Sequence, residues 1–160
     1  MSLAIKALVL ATFYPSENGK EAHRFVHVRN LYYQEQGIDV TVLCFGTKED
    51  YVYENIRVIS LKTYKRQKEE YDLLISHQAN IRNHYLFLKK YSKRFPHIVF
   101  FFHGHEIVEI YKTYPKPYKH MESSAIKALI RRVCVISLLL RDHRVHVFLW
   151  FHQPKHNARQ

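Results

Sequence analysis

The sequence predicts an α/β fold built on a parallel sheet. Two observations carry that prediction. Apolar runs without polar alternation recur at 3–12 (LAIKALVLAT), 38–45 (IDVTVLCF), 71–77 (YDLLISH) and 97–103 (HIVFFFH), as in strands buried on both faces. Segments of helical period, closed by Gly37 and Pro96, lie between them.

Each element has its own justification. The run 3–12 holds one charge, Lys6, and ends in FYPSENGK, a turn cluster with Pro15, Ser16, Asn18 and Gly19. A helix is predicted over 20–36 from an apolar stripe of Ala22, Phe25, Val28 and Tyr32. Gly37 stops it, because glycine takes the left-handed conformation cheaply. The second strand is 38–45, and a short third is 56–61 (IRVISL). YKRQKEE is polar and breaks the pattern before the fourth strand, 71–77. In a helix over 80–94, Ile81, Tyr85, Leu88 and Phe95 share a face. Lys89, Lys90, Lys93 and Arg94 crowd its end, where cations complement the helix dipole. The fifth strand, 97–103, ends at Gly104. Residues 112–120 (KTYPKPYKH) read as a basic loop, and 121–132 as a helix capped by Ser123 or Ser124. With right-handed crossovers, this order makes a Rossmann-like, doubly wound sheet in a single domain.

The chain has 160 residues, enough for one domain with a real core. Cys44 and Cys134 make no disulfide framework. The first apolar run is no secretory signal, and the run 133–140 is too short to span a bilayer, which needs about 20 residues. The expectation is a reduced, cytoplasmic protein. The net charge is +11 and unevenly spread: residues 1–60 net −1, residues 61–160 net +12. Such asymmetry suits an anionic partner, or simply a solvated basic face.

In an open parallel sheet the ligand crevice lies beyond the carboxyl ends of the strands. Three segments should meet there: FYPSENGK, SHQAN and HGHE. In the first, Asn18 and Gly19 precede a helix N-terminus, where backbone N–H groups and the dipole favour an anion. Lys20 and Arg24 add cationic donors one turn apart. This is neither G-x-G-x-x-G nor a P-loop, so no dinucleotide or ATP site follows. In the last, His103 closes a buried strand, and Gly104 leaves room for a close ligand. An imidazole there can donate to a hydroxyl or exchange a proton near neutral pH. His105 and Glu106 follow as weaker candidates. Ser76, His77 and Gln78 are correctly placed but unspecific. His23 and His27 stand at i, i+4, but HEXXH is absent. No metal site, no cofactor and no nucleophile elbow is expected.

The order of these motifs resembles a specific family. A strand ending in FYP, a glycine-containing loop, a helix, and Gly37 before IDVTVLCF look like the start of a family 4, GT-B-fold glycosyltransferase. YDLLISHQ is similar to that family's D-hydrophobic-hydrophobic-H-x-H strand, and PHIVFFFHGHE to its P-strand-HG-x-E segment. The match runs from about Lys6 to Glu106 and more weakly to Arg132. Two positions depart from the pattern: the double glycine is Asn18-Gly19, and the histidine after the helix stop is Ile38.

The resemblance implies the N-terminal, acceptor-binding half of a retaining enzyme that moves a sugar from a nucleotide-sugar to an acceptor hydroxyl without a catalytic metal. The pathways implied are polysaccharide, glycolipid or cell-envelope synthesis. The donor would bind mainly through a second domain that this chain is too short to hold, so the chain alone is expected to be inactive. The Gly19 backbone would face the leaving diphosphate, and His103 the sugar, as the catalytic residue. His77, Gly104, His105 and Glu106 would line the substrate site with Asn18, Lys20 and Arg24. The acceptor would be a sugar or a lipid-linked sugar, and a basic surface would hold the domain on the anionic inner face of the cell membrane.

The domain is therefore assigned to 1–132. Residues 133–160 are atypical in composition, with four of twelve His, one of two Cys and the only Trp. They read either as an unusual closing strand or as a tail translated in a shifted frame, and the composition change favours the second. The competing functional class is a basic nucleic-acid-binding or purely structural α/β module. Tyr111, Tyr114 and Tyr118 among lysines could stack bases, but no RRM, KH or helix-turn-helix signature accompanies them.

Overall fold

The computed structural model describes residues 4–17, 24–77, 81–102 and 144–149. Its centre is one seven-stranded sheet in the order β3-β4-β2-β1-β5-β6-β7. The strands are β1 (Lys6–Ala11), β2 (Asp39–Cys44), β3 (Tyr51–Tyr53), β4 (Ile56–Ser60), β5 (Leu73–Ser76), β6 (His97–Phe102) and β7 (Val145–Leu149). All are parallel except β3, which pairs antiparallel with β4 at one edge. The helices are α1 (Arg24–Glu35), α2 (Leu61–Arg66) and α3 (Arg82–Tyr91), the last followed by a 3-10 turn, Ser92–Arg94. The chain is α/β, a mostly parallel Rossmann-like sheet with helices on both faces.

The central strands are apolar without alternation because both of their faces are covered. Ala7 to Leu10 are all 0 % exposed. Their side chains split between two cores. Leu8, Leu10, Leu43, Leu74, Ile98 and Phe100 meet Phe87, Leu88 and Tyr91 of α3. Ala7, Val9, Val42, Val58 and Ile75 face the other way, toward Val26 of α1. Gly37 has φ +81°, as a glycine that ends a helix requires.

Three expectations need correction. The stripe that predicted α1 is not its buried face. Phe25, Val28 and Tyr32 are 47 %, 58 % and 57 % exposed, whereas Val26, His27 and Asn30 are buried. His27 and Asn30 look like surface residues to any apolar count, but both His27 ring nitrogens and Asn30 Nδ2 are paired inside the fold, which offsets part of the cost of burying them, while Asn30 Oδ1 is buried without a hydrogen-bond partner. The segment before the fourth strand is not patternless. Ser60 caps α2, its hydroxyl accepting from Thr63 N at 3.3 Å. Finally, β3 precedes the short third strand. Glu54 and Asn55, both at positive φ (44° and 64°), form a two-residue hairpin turn without the usual Asn-Gly.

Part of the atypical segment 133–160 joins the sheet. β7 runs parallel to β6, Ile98 N donates to Arg144 O at 2.8 Å, and the Arg144 guanidinium donates to Phe95 O at 3.1 Å. Cys134 and the helix read over 121–132 lie outside the described residues.

Candidate functional site

The site follows from strand order. β1 connects to β2 on one side, and β5 connects to β6 on the other, so the sheet's direction of winding reverses between β1 and β5. Crossovers that part in opposite directions leave a crevice at the carboxyl edge. The β1 exit, Thr12 to Tyr14, and the β5 exit at His77 border it.

Three of the residues named from sequence, Arg24, Ser76 and His77, come to this edge. His77 is buried and stacks on Phe101 with centroids 4.9 Å apart. Arg24 opens α1, and the neighbouring Phe25 ring stands edge-on to His77 at 6.2 Å. The first turn of α1 thus reaches across to the β5 exit. Asn18, Gly19, Lys20, His103, Gly104, His105 and Glu106 lie outside the described residues.

Several residues of this edge escaped the sequence reading. Phe13 is 55 % exposed at the β1 exit. Phe25, 47 % exposed, is a second exposed aromatic ring at the carboxyl edge. The Phe13 ring lies where a side chain at position 46 would go: a Cβ on Gly46 would come within 2.7 Å of it and 2.8 Å of Thr12 O. Glycine is therefore required there by close approach.

Two buried histidines pin the β1 exit from opposite faces. On the α3 side, His84 is 1 % exposed. Its Nδ1 lies 2.9 Å from Ser76 Oγ and its Nε2 3.3 Å from Thr12 Oγ1, joining the ends of β5 and β1. On the α1 side, His27 Nδ1 lies 2.7 Å from the Tyr14 hydroxyl and its Nε2 2.8 Å from Glu54 Oε2. Asn30 Nδ2 donates to the same hydroxyl at 3.1 Å. The Tyr51 hydroxyl donates to Tyr14 O at 3.2 Å. The only sequence signal for this pair was His27 itself, and it was weighed as a metal ligand.

The electrostatics suit bracing rather than proton exchange at Tyr14. Burial pushes its phenol well above the ordinary range, despite the opposing bond from Asn30. Burial likewise raises Tyr51 to about 12 and pushes the Cys44 thiol up. The bond from His27 holds the Glu54 carboxyl below its usual value. Among the described residues no group of three or more His, Cys, Asp or Glu is placed to hold a metal ion.

The cationic cluster lies elsewhere. α3 leaves the carboxyl edge after β5 and reaches the amino edge before β6, so Lys89, Lys90, Lys93 and Arg94 stand at the end remote from the crevice. A groove of about 200 Å³ between α2 and α3, lined by Phe45, Leu61, Lys65, Leu86, Phe87 and Lys90 among others, belongs to this helix layer. No helix among the described residues is long and apolar enough to cross a membrane.

No family model, no curated protein and no solved structure matches the chain.

Proposed function

We propose that this chain is the acceptor-binding half of a retaining, nucleotide-sugar-dependent glycosyltransferase. The observation that supports it most is the reversal between β1 and β5. Two of the segments that carry the motif resemblance, FYP after β1 and the histidine after β5, leave the sheet beside that reversal, where an open α/β sheet binds its ligand. Phe13 and Phe25 add exposed aromatic faces, the kind of wall on which the C–H face of a pyranose packs while its hydroxyls reach polar groups. In this reading Arg24 and the Asn18–Lys20 loop meet the anionic or hydroxyl-rich end of the ligand. His103 takes the catalytic position, with His77, Gly104, His105 and Glu106 around it. The donor nucleotide is held mainly by a second domain, and a basic surface, the 112–120 segment more than the α3 end, rests on anionic lipid.

The competing reading as a nucleic-acid module draws on the same positive charge, and salt separates the two. Thermal unfolding of the chain is followed with glucose, galactose, mannose and N-acetylglucosamine, and binding to a single-stranded oligonucleotide is titrated with salt. A ligand of the native state raises its stability by mass action. The expected result is a rise in Tm with at least one sugar, maintained at high salt. Oligonucleotide binding that collapses steeply with salt, with no response to any sugar, would overturn the proposal.

A further inference from the structure

We infer that His27 is a positioning residue: through Tyr14, it sets how Ser16 and Glu17, the start of the loop after β1, leave the sheet. The inference rests on the reading that this loop meets the acceptor, but its geometry is independent of which ligand binds.

His27 is 3 % exposed and held at both ring nitrogens. Its ring is fixed sideways as well, edge-on to Tyr14 at 5.5 Å and to Tyr53 at 4.8 Å. Glu54 has its pKa lowered and is 56 % exposed, so near neutral pH it is a carboxylate that can only accept. A neutral ring held in this way carries its hydrogen on Nε2 and donates it to Glu54. Nδ1 is then left as an acceptor, and the Tyr14 hydroxyl must donate to it. Asn30 Nδ2 donates to the oxygen of that hydroxyl. The chain of donors runs one way, Asn30 to Tyr14 to His27 to Glu54, and has one consistent polarity.

The mechanical consequence follows from where these residues sit. Glu54 belongs to the β3–β4 hairpin, whose turn is also tied to α1 by Gln34 Nε2 donating to Asn55 O at 3.2 Å. His27 and Asn30 belong to α1. Tyr14 is the third residue past β1 and is followed by the buried Pro15, whose ring restricts the backbone further. The relay therefore ties a hairpin at one edge of the sheet, and the helix beside it, to the stem of the ligand loop. A buried tyrosine with a fixed hydroxyl and a restricted successor leaves Ser16 and Glu17 little choice of direction. Preorganising a binding loop in this way lowers the ordering cost of binding.

The test uses the ¹⁵N-labelled 160-residue chain, read by NMR at neutral pH. The His27 ring should show the Nε2–H tautomer, and the Tyr14 hydroxyl proton should exchange slowly with water. Glu54→Ala removes the acceptor from an exposed position and should leave the fold intact by circular dichroism. It should nonetheless move the Ser16 and Glu17 amide resonances, although Glu54 belongs to the hairpin rather than to that loop. Glu54→Gln, whose side-chain oxygen still accepts, should restore them. Tyr14→Phe should move the same amides with no rescue by Glu54→Gln. An Nδ1–H tautomer, or Glu54→Ala shifts confined to the hairpin around Asn55 and Gln34, would overturn the inference. Neither result depends on sugar binding, so failure here is distinct from failure of the proposed function.

Discussion

The two faces of the sheet are built on different principles. On the α3 face, Phe87, Leu88, Tyr91 and Phe95 lock against Leu8, Leu74, Ile98 and Phe100, an aromatic and aliphatic core. Phe87 alone has ring neighbours in Phe45, Tyr64, Tyr91 and Phe95. On the α1 face, the helix buries His27 and Asn30 against Tyr14 and turns Phe25, Val28 and Tyr32 outward. Both faces carry an apolar core, but the α1 face adds to its core a buried hydrogen-bonded chain that gives direction. Apolar packing is non-directional, whereas a hydrogen-bonded chain fixes where each atom points.

The largest expected effect belongs to the α3 face. Phe87→Ala should destabilise the chain by about 3–5 kcal/mol in urea unfolding, the cost of a cavity in a packed core. A loss below about 1 kcal/mol would show that this face is not the main core. Gly46→Ala comes next, on the crevice side. The added methyl meets the Thr12 carbonyl and the Phe13 ring, and the loss should be about 1–3 kcal/mol, with a changed Phe13 environment in the aromatic NMR spectrum.

Acid sharpens the comparison further. The His27 bond holds the Glu54 pKa lower in the folded chain than in the unfolded one, so its contribution is present above the ordinary glutamate value of 4.5. It is lost as pH falls through the lower folded value. The gap in Tm between the natural chain and Glu54→Gln should therefore narrow below that range, and a gap that widens on acidification would contradict the sign.

The smallest effect is expected on the outward side of α1. Val28→Ser and Tyr32→Ser should each change stability by no more than about 0.5 kcal/mol, as substitutions at exposed positions usually do. A loss of several kcal/mol from either would mean that this stripe is covered after all.

How far the sequence could be read follows the same division. The strands were legible because a strand covered on both faces has few polar positions to hide its pattern, as at Ala7 to Ala11 and Val42 to Cys44. Gly37 announced a left-handed residue, and the structure has one there. α1 was legible as a helix but not in its rotation. Periodicity counts apolar residues, and here the buried face is largely polar, with the His27 ring and Asn30 Nδ2 held by partners 13 to 27 residues away. α2 was hidden by its lysines, although Ser60 with Thr63 was a readable cap. Glu54 could not have been found, since nothing local marks a hairpin turn residue as the far end of a relay. Of the candidate site, the β1 and β5 exits were legible from the strand-end rule. The exposed ring of Phe25 was not, because it was absorbed into the stripe that predicted the helix.

The central claim is that the ligand site lies where the winding reverses, at the exits of β1 and β5. It is tested most directly by mapping which backbone amides of the ¹⁵N-labelled chain respond to the sugar that stabilises it. The account predicts shifts at Phe13, Tyr14, Arg24 and His77, with Asp39, Leu73 and His97 at the amino edge unmoved. Shifts centred on that amino edge, or on the groove between α2 and α3, would contradict it.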